Sequence, residues 1–227
     1  MQRKQNVWSF QRKLLHQTCN LSCKGETIKQ VTNFKYLGCT ITPDAKCDTE
    51  IKKRMAISKD TFSKMKAVFT NRNISLNTKL NTLKAYVWSV LMYGCECWTL
   101  TSDLERKLEA TEMWFIRRIL KISWNERKSN EEVMEMCGYK RALITTIRRR
   151  QLDFFGHLNR ADRIEKQLLC GKISGARSKG KRRTKYTDSL NSYATRNQSP
   201  INSLIRRTDN RDEWKSMTAD VCNRRGT

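Results

Sequence analysis

Proline is almost missing from this chain, with two residues in 227, and no low-complexity tract or repeat of solenoid length runs through it. Proline-rich linkers and repeat arrays are therefore excluded. Histidine is as scarce: His16 and His157 are the only two, and neither has a Ser/Asp or Cys/Asn partner in a recognisable nucleophile elbow. No Asp-Asp pair occurs anywhere, although polymerase chemistry needs two metal ions held by acidic side chains that are often adjacent. Phosphate-cradling glycine loops are absent as well. No stretch approaches the roughly 18 apolar residues of a membrane span; the longest uncharged apolar-looking run is 85–95. The opening Met1-Gln-Arg-Lys-Gln-Asn is not followed by the apolar segment of a secretory signal. These absences predict a nuclear or cytoplasmic chain without membrane contact, catalytic residues, cofactor or metal site of its own.

Negative charge is the other shortage. Forty-six Lys and Arg face 22 Asp and Glu, a formal +24 with a pI near 10. Such an excess repels itself in a compact state unless a polyanion compensates, and nucleic acid is the commonest such partner. The excess is concentrated: residues 141–185 hold fourteen Lys and Arg against three acids, a net +11. Arg148, Arg149 and Arg150 fall in a predicted helix, where their guanidinium groups fan over more than half a turn. Guanidinium forks match phosphate oxygens bidentately, so these three, with Arg160, Lys179, Lys181, Arg182, Arg183 and Lys185, are the candidate nucleic-acid-binding residues. Two readings stay open for 179–185, a phosphate-contacting loop and a nuclear import patch. Tyr139, Phe154, Phe155 and Tyr186 lie among these charges, either as core residues or as rings on which bases stack.

Nine cysteines in a chain of this composition read as reduced thiols. His16, Cys19 and Cys23, close to Cys39 and Cys47, match no common zinc spacing, and Cys95-x-Cys97 makes a poor chelate.

Hydropathy periods give a mainly α fold with a small N-terminal β-hairpin. Residues 25–42 alternate β-branched or aromatic with polar residues, the period of a half-buried strand. From Asp48 the period is helical: Ile51, Met55, Ser58, Phe62, Met65 and Phe69 form one stripe. Leu76, Leu80, Leu83, Val87, Val90 and Leu91 form a second, broken by Gly94, and Leu104, Leu108, Thr111, Phe115 and Ile119 a third. Ser129 and Glu132 have capping-box spacing for a fourth helix that Gly138 ends. Leu143, Ile147, Phe154 and Leu158 mark a fifth, expected to stop near Gly156. Residues 171–187 read as a basic loop, followed by short amphipathic pieces at 201–207 and 213–221. The implied organisation is a β-hairpin remnant over 1–47, a helical bundle over 48–128 and a basic helical C-terminal region over 129–227.

Five strings recur along the chain: Phe34-Lys-Tyr-Leu-Gly38, Tyr93-Gly-Cys-Glu-Cys-Trp98, Phe155-Gly-His-Leu-Asn-Arg160, Gly180-Lys-Arg-Arg-Thr-Lys185 and Arg211-Asp-Glu-Trp214. In this order they resemble the region after the catalytic palm in endonuclease–reverse transcriptases of non-LTR (LINE-type) retrotransposons, nearest the RTE/BovB group. Arg182 stands where that family commonly has Pro, and Tyr186 where it commonly has Trp. The resemblance implies a hairpin near the primer grip at Phe34, Tyr36, Leu37 and Gly38, a helical thumb-like bundle and a basic C-terminal region. It implies partners in template RNA and primer DNA, contact with a separate palm domain, and magnesium held by aspartates upstream in the parent polymerase. The chain would be a truncated, non-catalytic fragment of such an enzyme. The alternative is a relic, or a host-recruited interaction protein with no polymerase role.

Overall fold

A computed structural model describes residues 6–7, 21–161, 164–169, 185–194 and 201–223. The described chain is mainly α with a small β part, as the hydropathy periods predict. The strands are β1 (Asn6–Val7), β2 (Leu21–Cys23), β3 (Glu26–Gln30), β4 (Phe34–Tyr36) and β5 (Cys39–Ile41). β3 pairs antiparallel with β2 and parallel with β1, while β4 and β5 form a separate hairpin. Residues 25–42 thus contribute to two hairpins, where one was expected.

The β4–β5 turn is the two residues Leu37 and Gly38, at φ +45° and +82°. Positive φ at both central positions is the type I′ geometry whose twist suits a hairpin. Glycine takes it freely, whereas leucine pays a steric penalty. Two side chains of the helical body hold the turn: the Tyr93 hydroxyl donates to Leu37 O at 2.8 Å, and Arg54 Nη2 to Gly38 O at 2.8 Å.

Among the described residues eleven α-helices and a π turn follow the strands: α1 (Asp48–Lys64), α2 (Lys66–Thr70), α3 (Leu76–Thr82), a π turn (Leu83–Val87), α4 (Trp88–Leu91), α5 (Ser102–Ile119), α6 (Asn130–Cys137), α7 (Leu143–Arg160), α8 (Ile164–Leu169), α9 (Tyr186–Ala194), α10 (Ile201–Thr208) and α11 (Arg211–Asn223). The expected stripes face inward: Ile51, Ser58, Phe62 and Phe69 are buried, as are Leu104, Leu108, Thr111, Phe115 and Ile119. Both halves of the capping box on α6 form, at 3.1 Å and 2.8 Å. Thr101 caps α5, whose acids Asp103 and Glu105 lie in its first turn and whose Arg117 and Arg118 lie in its last, the order the helix dipole favours.

The apolar side chains fall into two clusters. The first runs from Ile51 to Ile147, and the second joins Leu152 and Phe155 to Leu190, Ala194, Leu204, Trp214, Met217 and Val221. Packing therefore changes within α7, between 147 and 152. The N-terminal half of α7 belongs to one core and its C-terminal half to the other.

The start of α7 has no side-chain cap of its own. Glu112 of α5 takes that place: its Oε1 accepts from the Ala142 and Leu143 amides at 3.0 and 3.1 Å and from the Tyr139 hydroxyl at 2.8 Å. These bonds and the helix N-terminus favour the carboxylate. Burial outweighs them and raises its pKa above the ordinary 4.5.

Gly156 does not end α7, contrary to the sequence expectation; the helix continues to Arg160. Its role is close approach. A Cβ there would overlap the indole of Trp214 from α11, which lies against Phe155 at 5.9 Å between ring centroids and donates Nε1–H to Leu152 O at 3.1 Å.

Two outcomes follow. Alanine in place of Gly156 would gain about 1 kcal/mol of helix propensity. Overlap with a buried ring costs about 1–3 kcal/mol, and here the obstacle is a held indole, so Gly156→Ala lowers the thermal midpoint by several degrees. In a double-mutant cycle on a Trp214→Leu background the added cost shrinks; an undiminished cost would contradict the contact. For Glu112, a folded-state pKa above the unfolded one means its contribution is full below about pH 4.5 and is lost as pH rises through the folded value. Urea unfolding of the parent and Glu112→Gln from pH 4 to 8 should show the balance shifting toward Gln as pH rises, and a pH-independent difference would contradict the raised pKa.

Candidate nucleic-acid interface

The helical period of α7 separates the three consecutive arginines. Residues 144, 148, 151, 155 and 159 share its inner face, so Arg148 points inward and is only 6% exposed. Its Nη2 donates to Glu105 Oε1 of α5 at 2.5 Å, and its guanidinium lies 4.8 Å over the Tyr193 ring of α9. Arg148 is thus a buried brace between helices and is not free to meet phosphate, which corrects the sequence assignment. Arg149 and Arg150 turn outward. Their nearest carboxylates, Asp153 and Glu96, are each 3.9 Å away, and such exposed pairs hold a side chain by less than about 1 kcal/mol. Both therefore remain available to an anion.

Arg160 ends α7 half-buried, with Nη1 donating to Thr208 O of α10 at 3.1 Å. Lys185 is exposed, and its backbone amide is accepted by Asp188 at the start of α9. Lys179, Lys181, Arg182 and Arg183 lie outside the described residues. Of the interleaved aromatics, Phe155 is fully buried and Tyr139 is buried against Glu112. Tyr186 is partly buried, its hydroxyl 3.4 Å from Gln151 O. These three rings are packing residues and offer no free face for a base.

Among the primer-grip-like residues, Phe34 and Tyr36 stack at 6.4 Å on one face of the hairpin. Tyr36 is 56% and Leu37 73% exposed, an apolar pair at the hairpin tip.

Four of the five strings meet in pairs among the described residues; 180–184 of the fourth lie outside them. The first is held by the second through Tyr93, whose ring Gly38 approaches and Arg54 covers at 4.4 Å. The second is held by α7 through Gln151, whose Nε2 donates to Cys95 O and Trp98 O at 2.9 and 3.0 Å. The third and fifth meet at Gly156 and Trp214. Packing accounts for Gly38, Tyr93, Gly156 and Trp214 at these meetings.

Burial pushes Cys95 up to about 12 and raises Cys47, and all the described cysteines are free. Cys19 and His16 lie outside the described residues. Among the described residues, His, Cys, Asp and Glu form no group of three or more placed to hold a metal ion. No helix of the described residues is long and apolar enough to cross a membrane.

Sequence reasoning missed Lys66, Arg117, Arg118 and Lys121, which gather around one open cleft. They come from helices far apart in sequence, and only Arg117-Arg118 at the end of the third stripe hinted at them.

Arg148→Ala should cost about 3 kcal/mol in urea unfolding, because it strands a largely buried carboxylate, while Arg149→Ala and Arg150→Ala stay within about 0.5 kcal/mol of the parent. Equal effects at all three positions would contradict the inward placement of Arg148. The chain matches no family model, no curated protein and no solved structure.

Proposed function

We propose that this chain is a non-catalytic nucleic-acid-binding module, similar to the segment that follows the palm in a non-LTR retrotransposon reverse transcriptase. The observation that carries the binding part is the formal +24, with a net +11 between 141 and 185. Arg149 and Arg150 offer outward guanidinium groups from the rigid helix α7, which suits phosphate contacts of the kind that position a strand without reading its sequence. The family part rests on the ordered strings; that four of them meet in pairs favours their being parts of one folded unit. The exposed Tyr36 and Leu37 at the hairpin tip are where a separate palm domain would pack. Template RNA and primer DNA are the proposed partners, in nucleus or cytoplasm. The two filled cores favour this reading over an unfolded relic.

Fluorescence anisotropy with labelled 20-nucleotide RNA and DNA tests the binding. The logarithm of the association constant should fall linearly with the logarithm of salt, by about 0.7 for each phosphate neutralised on a single strand. Arg149→Ala with Arg150→Ala should flatten that slope without changing the thermal midpoint. A salt-independent affinity, or none, contradicts the proposal. Primer extension with the purified chain and magnesium should give no incorporation; activity that persists after removal of contaminating polymerases would contradict the non-catalytic reading.

A further inference from the structure

We infer that the open cleft between the α1–α2 junction and the last turn of α5 is a phosphate-binding site that seats the backbone of a nucleic-acid strand. The inference rests on the nucleic-acid reading above and gives that reading a second contact point, remote in sequence from the arginines of α7.

The cleft has a volume of about 460 Å³. Four cations line it, Lys66 from α2, Arg117 and Arg118 from α5, and Lys121 just beyond, and no carboxylate does. None of the four is ion-paired to a described carboxylate. Their neighbours differ: Lys64 is paired with Asp60 at 2.7 Å and Lys128 with Glu126 at 2.9 Å. Charge is thus neutralised at the borders of the cleft and left uncompensated inside it.

Two of the guanidinium groups are already positioned. Arg117 Nη2 donates to Lys128 O at 2.8 Å and to Asn130 Oδ1 at 3.0 Å, leaving its Nη1 and Nε donors unspent. Arg118 lies 4.0 Å over the ring of Trp114, which Lys59 also approaches at 5.3 Å. A side chain held in place loses less entropy when it meets an anion.

Lys121 adds a backbone argument. It stands at φ +59°, just past the end of α5, where the Ile122 amide returns to Arg117 O at 2.9 Å. That return bond is the Schellman pattern, and glycine is the usual residue at its left-handed position. A lysine there accepts a strain of about 1 kcal/mol and keeps a charge at the mouth of the cleft.

The helix dipole alone explains Arg117 and Arg118, since cations suit a helix C-terminus. It does not explain Lys66, which opens a helix, or the strain at Lys121. The half negative charge at the end of α5 is also small against four cations. No ring is free to stack a base: Phe62 on the floor is buried against Phe69, and the faces of Trp114 carry cations. The site therefore takes the sugar–phosphate backbone, and is indifferent to base sequence.

The test uses the full chain carrying Lys66→Gln, Arg118→Gln and Lys121→Asn together; asparagine tolerates the left-handed conformation. All three side chains are exposed, so the thermal midpoint should stay unchanged. A second triple variant, Lys29→Gln, Lys35→Gln and Lys52→Gln, removes the same charge from exposed positions elsewhere. With labelled oligo(dT) and oligo(rU), the cleft variant should lower the salt slope by about 2 and weaken binding at least tenfold at 100 mM salt, and the control by much less. Equal losses in the two variants, or a parent-like slope in the cleft variant, overturn the cleft and leave nucleic-acid binding standing. A parent chain that binds neither strand overturns both.

Discussion

The amide of Gln151 is the joint on which the rest of the described structure depends. It is fully buried, and all three of its hydrogen-bonding partners belong to other segments. Nε2 donates to Cys95 O and Trp98 O, and Oε1 accepts the Tyr193 hydroxyl at 2.8 Å. One side chain thus ties the α4–α5 connection, α7 and α9 together at the place where one apolar core gives way to the next. Removing a buried amide that satisfies three partners strands each of them, at about 1–3 kcal/mol apiece. Arg148, one turn earlier, braces the first core to α9 through Glu105 and Tyr193. Leu152, Phe155 and Gly156, over the following turn and a half, receive Trp214.

From that joint the strings acquire a physical meaning. Tyr93 holds a hairpin turn that leucine strains, Cys95 and Trp98 supply carbonyls to Gln151, and Gly156 leaves room for an indole. Short patterns of Gly, Tyr and Trp are what such close contacts require, because few other residues fill or vacate the same space. The outward cations of α7 and those of the cleft at the end of α5, the proposed anion contacts, lie apart from the four described strings. A chain with this division keeps its shape through one set of residues and, on the proposed function, meets a polyanion through another.

Much of the fold was legible because period and capping are local. The stripe through Ile51, Phe62 and Phe69 and the capping box at Ser129 and Glu132 need only neighbouring residues to be read. Gly156 was misread for the opposite reason. Glycine usually interrupts a helix, and only the arrival of Trp214, 58 positions later, shows why it is tolerated inside one. The arginine run was misjudged in the same way: consecutive residues on a helix point in different directions, and the stripe chosen through Phe154 and Leu158 was one position out of phase with the buried Phe155. The cleft has only the Arg117-Arg118 pair as a local sign, since its cations are brought together by the packing of α1 and α2 on α5.

The central claim is that the four described strings hold the fold while Arg149, Arg150 and the cations of the cleft form the proposed binding surface. Hydrogen–deuterium exchange of the full chain, with and without a saturating single strand, tests it most directly. The account predicts new protection over 62–70 and 117–122 and at the outward face around 149–150, with 93–98 and 211–217 slow to exchange in both states. New protection confined to 93–98 and 211–217, with 62–70 and 117–122 unchanged, would contradict it.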